Sequence, residues 1–444
     1  MGSRKEQIRA LPLAVVSTVV AWGEAARAED GAPPSFEETT LTGDWDGYRD
    51  WLTDRGVTFT ITQTSDVLGN PSGGIKTGTA YDGVFQFQGD FDMERLAGWS
   101  GAAVHVSGYA IQGRGLSASD IGNLLTVTSV EAEAGVRLGE FYLSQDLLGN
   151  ALTLKVGQIL ADQSFAISNT ASLFVNSTFG WPGIFASDLP GGGPAYPLAT
   201  PGVQVIAKPN EAWTFQAALF NGSPTGDSPA GNANGLGFPI GNGVLAIVES
   251  SYGYDLDAGA GLAGTLKLGA WYNSEEFDSV LTASNGLPQR LSGNAAIYGV
   301  VDQALWREKS GGDVGLDGFA RLAMVPRQDR NLINWYFDTG LSYKGPFKGR
   351  EADVAGIAFA YAHISDDVAD LTEATNALDG TSTPVPTSEA VIEITYQAAI
   401  TPALSVQPFF QYIIRPGGRA ADPNRPGSAI PNATVLGLRV AATF

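Results

Sequence analysis

Read in twos, long stretches of this chain separate into an apolar set and a polar set. Residues 435–444 show it most cleanly: Leu436, Leu438, Val440, Ala442 and Phe444 alternate with Val435, Gly437, Arg439, Ala441 and Thr443. Side chains along a strand point to opposite faces in turn, so this pattern predicts a strand with one greasy and one wetter side. Residues 57–64 set Val57, Phe59 and Ile61 against four threonines. Residues 84–92 set Phe85, Phe87 and Phe91 against Gln86, Gln88, Asp90 and Asp92. Residues 213–219 and 392–400 alternate in the same way. Shorter or less regular examples fall at 103–109, 140–144, 152–157, 265–272, 315–324, 335–343 and 355–361.

Alternation alone does not say which face is inside, because a water-soluble sandwich shows it too. Two further features favour a barrel in a membrane. Long Gly/Pro/Asn-rich connections, such as residues 164–201 and 221–242, separate the strands at irregular spacing. Aromatic residues also gather near strand ends, at Trp99, Trp271, Tyr272, Trp335, Tyr336 and Tyr412, as membrane girdles require. Backbone facing lipid must be fully paired, and with strands only a closed sheet achieves that. At about 24 to 26 residues per strand and connection, the chain makes ~16 strands, a size class that leaves a water-filled lumen. The expected fold class is therefore all-β: a transmembrane antiparallel β-barrel of about 16 strands with inward-folded loops and a short N-terminal periplasmic helix.

The amino-terminal region carries Arg4, Lys5 and Arg9, then an apolar run over residues 10–22, then Ala26-Arg27-Ala28. That is the pattern of a signal peptide with a small-x-small cleavage site, and the run is too short to span a bilayer as a helix. The expected division is a signal peptide over 1–28, a periplasmic tail and short helix over 29–56, and the barrel over 57–444. Residues 29–40 read as a loose acidic tail. In residues 41–55, Asp44 can cap a helix that shows Trp45, Tyr48 and Trp51 on one face, and Gly56 can end it.

Composition narrows the function. The 444 residues include no cysteine and only 2 histidines, which excludes a disulfide framework, thiolate metal sites and a cysteine nucleophile. No cofactor or metal is expected. With 26 basic and 46 acidic residues the net charge is −20, the wrong sign for nucleic acid. The mean hydropathy of +0.01 is not that of a helical membrane protein. The glycine-rich stretch 69–77 has the wrong spacing for a phosphate loop and reads as a turn between strands. Glu275-Glu276 and Asp366-Asp367 read as solvated loop carboxylates rather than the opposed pair a glycosidase needs. His105 falls on a polar strand face as a wall residue, and no GxSxG elbow occurs.

What remains is a polar tube with something to narrow it. Residues 164–201 form the best constricting segment, with Phe165, Asn169, Phe174, Asn176, Trp181 and Tyr196. A loop that long is usually functional, and its aromatics argue against disorder. A sugar is gripped by aromatic faces together with carboxylate, amide and guanidinium groups. Nearby lumen-facing candidates are Arg114, Glu140 and Lys155, with Tyr142 on the wet face beside Glu140. A lumen rich in carboxylates predicts a modest preference for cations over anions.

At this level the chain resembles the OprB family of carbohydrate-selective porins along nearly its whole length. The matching stretches are LTGDWDGYRDWLTDRGV (41–57), LGNPSGGIKTG (68–78), GRGLSASDIGNLLTVTSVEA (113–132), KVGQILADQSFAIS (155–168), LFVNSTFGWPG (173–183), GGPAYPLATPGV (192–203) and KLGAWYNS (267–274). The end of the chain, from EITYQAAITPALSVQPFFQYIIRPGG to LGLRVAATF, completes them. The resemblance departs at Ala263, where the family usually has a proline, and at Gly139-Glu140-Phe141, which is less aromatic than usual. It implies a 16-stranded outer-membrane barrel of a Gram-negative bacterium with a narrow eyelet favouring glucose and related sugars. Arg114 and Glu140 are then the charged eyelet pair. The function implied is passive diffusion of small sugars into the periplasm. The alternatives are a general non-selective porin and a barrel hydrolase acting on sugars or lipids. Expected partners are small sugars, outer-membrane lipid and lipopolysaccharide, and the barrel-assembly machinery acting on the strand that ends at Phe444. The barrel is expected to be a monomer or homotrimer, with no nucleic acid.

Overall fold

Strand β1 (Val57–Ser72) lies antiparallel to β16 (Ala433–Thr443), with Asp66 opposite Arg439 and Ser65 opposite Val440. This pairing closes a single sheet of sixteen strands into a barrel in which every other neighbour is also the next strand in sequence. The computed structural model describes residues 35–226, 232–257, 260–282, 288–308 and 313–444, so the signal peptide and its cleavage site lie outside the described residues. The first half of the wall is β2 (Gly78–Asp92), β3 (Ala102–Gly113), β4 (Gly135–Leu147), β5 (Leu152–Ile159), β6 (Thr200–Ala207), β7 (Trp213–Asn221) and β8 (Val244–Asp255). It continues with β9 (Ala263–Thr282), β10 (Pro288–Arg307), β11 (Gly315–Met324) and β12 (Ile333–Lys344). Finally come β13 (Val354–Ile364), β14 (Ser388–Thr401) and β15 (Leu404–Ile414).

The alternation resolves as apolar outside, polar inside. On β16, Leu436 is 54% exposed on the outer wall while Val435 is fully buried on the inner side. Strands β6, β8, β10 and β15 show weak alternation in the sequence, for a physical reason. On β8, β10 and β15 several inward residues, such as Ile247, Tyr298, Val300 and Phe409, are apolar because a folded-in loop covers them, while β6 is short and keeps Gln204 inward. A strand apolar on both faces has no period of two to read.

Strand parity also corrects several expectations. Tyr272 and Trp335 face outward, but their neighbours Trp271 and Tyr336 point into the barrel and are buried, so they are not girdle residues. Glu275-Glu276 lies within β9 rather than a loop, and Asp366-Asp367 opens helix α5. Part of the expected tail is a single helical turn, α1 (Phe36–Thr39). Helix α2 starts only at Tyr48 and runs to Asp54, after Gly47 in the left-handed region. Asp44 stands outside that helix and instead accepts from the Asp50 amide at 2.9 Å. Helix α3 (Met93–Ala97) fills the β2–β3 turn, α4 (Gly183–Asp188) the β5–β6 loop, and α5 (Asp366–Asp379) the β13–β14 loop.

The two ends of the barrel differ. Where β1 begins and β16 ends, the connections are short turns, and α2 packs against β1 there. The opposite end carries the long loops 114–134, 160–199, 365–387 and 415–432. Outer-membrane barrels put short turns in the periplasm and long loops outside, which orients this one.

Inside the wall, buried aromatic rings lie over glycines directly across the strand pair: Phe409 over Gly437, Tyr298 over Gly269, Phe220 over Gly202 and Phe319 over Gly340. A Cβ on Gly269 would fall 2.2 Å from the Tyr298 ring, which the phenol's 2.8 Å bond to Glu249 holds in place. Gly269→Ala should therefore cost about 1–3 kcal/mol of overpacking. The temperature at which folded barrel converts to the unfolded band on a detergent gel should drop; no drop would show that the ring moves aside freely.

Candidate functional site

A loop can enter a barrel only if its backbone donors and acceptors find partners there. The β5–β6 loop, residues 160–199, finds them on strands from most of the far wall. The Ala166 amide donates to Glu249 on β8 at 2.8 Å, and the Thr170 amide to Asp302 on β10 at 3.1 Å. Val175 and Asn176 donate to the two oxygens of Glu393 on β14 at 2.7 and 2.9 Å. Loop carbonyls are met in turn: Lys267 donates to Ile167 and Gln407 to Leu173, each at 2.8 Å.

The most demanding partner is Arg321 on β11, fully buried and paired with equally buried Asp338 on β12. Its guanidinium donates to Asp338 through Nε and Nη2, and to the carbonyls of Ala166, Thr178, Phe179 and Gly180. All five N–H groups are thereby used, which the fixed guanidinium fork allows and a lysine does not. Tyr336 completes the knot by accepting from the Thr178 hydroxyl and donating to Asp338. Around these polar pins, Phe165, Phe174, Phe179 and Phe185 of the loop pack on Phe220, Trp271, Tyr298 and Phe319 of the wall. The loop thus fills the side of the barrel from β7 to β15. The open path is left along β16 and β1–β5, where Thr58, Thr60, Thr62, Gln88 and Asp90 line the lumen half-exposed.

The β3–β4 loop narrows the path from above. Its Leu124 and Leu125 amides donate to Glu389 on β14, and it meets the longer loop where the Tyr196 hydroxyl donates to the Val130 carbonyl at 3.3 Å. Arg114 projects from this loop, half-exposed, bound to Asp120 at 3.1 Å and to the Thr79 carbonyl at 2.7 Å. Hydrogen bonding to Arg114 holds the Asp120 carboxyl below the usual aspartate range. Arg137 on β4 donates through Nη2 to the Asn232 carbonyl at 2.7 Å, and its buried Nε has no partner among the described residues. Beside it, Tyr196 sits edge-on to Tyr109 with ring centres 5.2 Å apart.

Glu140 lies in a different group. It accepts from the Leu160 amide at 3.0 Å and stands 3.9 Å from His105, which is bound to Asp90 at 2.7 Å. Tyr142 is buried there, stacked on His105, with the Lys155 ammonium 5.0 Å from its ring centre. Arg114 and Glu140 thus stand in separate groups, Arg114 bound to Asp120 in its own loop and Glu140 to the Leu160 amide beside His105. Phe165 is also not a lumen contact, since its ring is buried in the loop's core. Trp181 is half-buried, donating from Nε1 to the Gly192 carbonyl, and Asn169 is exposed. Arg137 was missed because a register shift between Val106 and Gly108 breaks the alternation in this part of β4.

A closed sixteen-stranded barrel, apolar outside and polar within, narrowed by loops folded into its lumen, is a porin. This chain belongs to the OprB family of carbohydrate-selective porins, whose model matches residues 76–444. It is similar to Porin B of Pseudomonas aeruginosa, 26% identical over 450 residues covering 95% of this chain and 94% of that one. It is also similar to the high-pH structure of Pseudomonas putida OprB, with TM-score 0.82 and 26% identity, covering 92% of this chain and 99% of that one. The low-pH structure of the same protein shares the fold at TM-score 0.58 and 18% identity, covering 93% and 100%. The chain is accordingly a sugar porin of the outer membrane, crossing it with sixteen strands.

Removing one partner of a buried ion pair costs about 3–5 kcal/mol, because the other charge is left unpaired. Arg321→Gln should free the β5–β6 loop, and single-channel recording should show larger and noisier conductance. The Arg321→Met/Asp338→Leu double variant, with no buried charge left, should recover thermal stability but not the narrow conductance. Unchanged conductance in a folded Arg321→Gln barrel would mean the loop holds without this pin.

Burial pushes the Asp162 carboxyl, which accepts from the Tyr196 amide, up to about 7 from 3.8. A raised carboxyl favours the folded state while protonated, so its contribution declines as pH rises from about 4 to about 7 and is level above. Asp162→Asn should flatten the pH dependence of loop protection from protease across that window; an unaltered slope would assign it to another group.

Proposed function

We propose that this porin passes neutral monosaccharides passively into the periplasm, and that the selecting residues are Arg114, Arg137 and Tyr196. The observation that carries this reading is Arg137. Among the described residues its guanidinium is held by one carbonyl and has no carboxylate partner, its Nε is buried and unpaired, and its remaining exposed edge lies beside the Tyr196 ring. A sugar passing there exchanges water hydrogen bonds for guanidinium donors at little net cost, while its ring face meets an aromatic. Asn169 and Trp181 belong to the approach, and Glu140 and Lys155 stand on the path beyond it, with Tyr142 buried behind them as their support. The chemistry needed is binding and release, so we read the chain as a channel without a catalytic role. Lipid and lipopolysaccharide contact the apolar outer wall, the assembly machinery acts on the strand ending at Phe444, and the barrel stands as a monomer or homotrimer.

The test is swelling of liposomes carrying the purified barrel. Glucose should enter faster than an amino acid of similar size and much faster than a disaccharide. Arg137→Gln should slow glucose by about three- to tenfold, the range of one lost hydrogen bond of ordinary net strength. The amino acid rate should stay unchanged. Equal rates for all small solutes in the native protein would make it a general porin.

A further inference from the structure

The seam that closes the barrel carries a third lumen-facing guanidinium, besides Arg114 and Arg137. Arg439 on β16 stands directly opposite Asp66 on β1. It binds both oxygens of that carboxylate, Nε to Oδ1 and Nη2 to Oδ2, each at 2.8 Å. Nη2 also donates to the Thr128 hydroxyl at 2.7 Å and lies 3.2 Å from the Ser129 hydroxyl, both on the β3–β4 loop. Asp66 is fully buried, while the Arg439 side chain keeps 12% of its surface. Among the described residues Nη1 makes no hydrogen bond, and it is not sealed from solvent, so its two N–H groups face lumen water. Ser129 beside it is exposed to the same water.

We propose that Arg439, with Ser129, is a specificity-determining contact for neutral polyhydroxyl solutes, discriminating them from sugar acids of similar size. This rests on the sugar-channel reading above. The side-on carboxylate fixes the plane of the guanidinium, so its free N–H pair is aimed before any solute arrives and loses little freedom on binding. The two N–H groups of Nη1 can donate to the oxygens of adjacent hydroxyls, and the Ser129 hydroxyl can accept from one of them. Asp66 cancels the guanidinium's charge without occupying these donors. A hydroxyl therefore finds its full complement of hydrogen bonds here, whereas a solute carboxylate finds no net charge to offset its desolvation. Arg114 is arranged on the same plan, with Asp120 as its counter-charge.

The experiment compares glucose and gluconate entry into liposomes for the native barrel, Asp66→Asn, Arg439→Gln and Ser129→Ala. Folding of each is verified by heat-dependent gel mobility. Asp66→Asn leaves the cation uncompensated and should raise the gluconate-to-glucose ratio by about three- to tenfold. Arg439→Gln should lower glucose entry without raising gluconate. Ser129→Ala leaves the ion pair intact, so it remains informative if the seam variants do not fold, and it should lower glucose entry alone. A glucose-to-gluconate ratio unchanged in Ser129→Ala, or in any folded seam variant, overturns the proposal. Failure of the native barrel to prefer glucose over a size-matched amino acid is a different result, and it overturns the sugar-selective reading itself.

Discussion

The structure depends on one requirement: backbone that leaves water must keep its hydrogen bonds. A strand meets it through its neighbours, and sixteen strands in a ring leave no edge. A forty-residue loop in the lumen cannot meet it that way. Here the wall supplies side chains instead, with carboxylates for loop amides and one guanidinium for a cluster of loop carbonyls. Buried charges are costly on their own, so each is tied to several partners at once. Glu393 accepts two amides and a glutamine, and Arg321 uses every donor it has.

That requirement divides the barrel. From β7 to β15 the inner wall is a protein core, with rings over glycines and loop phenylalanines filling the gaps. From β16 through β5 it remains a wet surface of threonine, glutamine and carboxylate. The path for solute is thus displaced from the barrel axis toward the closing seam, and both loops present their edges to it. Seen this way, the acidic composition of the chain has two uses. Some carboxylates are pins, spent on loop amides, and others are counter-charges that neutralise arginines on the path.

The closed barrel was legible because its evidence is local: alternation on strands such as β2, β7 and β16 needs only neighbours in sequence. The covered strands were not, since Ile247 and Tyr298 are apolar for contact with a loop that is tens of positions from the first and about a hundred or more from the second. The same distance hid Arg321 and Asp338, whose spacing carries no motif and whose role appears only when residues 166 and 178–180 arrive beside them. The resemblance brought Arg114 to notice, and it stands in the β3–β4 loop bound to Asp120. It carried Arg114 and Glu140 over by position as the charged eyelet pair, whereas in space Arg114 is bound to Asp120 and Glu140 stands in a separate group beside His105. Phe165 was assigned to the lumen on residue type, although an aromatic in a folded loop serves its core as readily as its surface.

The order of the chain adds a consequence for how such a molecule is made. Residues 160–199 are synthesised and threaded before Glu249, Asp302, Arg321, Asp338 and Glu393 exist beside them. No proper resting place is available to that segment until most of the wall has been laid down. The seat of the constricting loop is therefore not the property of any one hairpin: it exists only where β8, β10, β11, β12 and β14 already stand side by side.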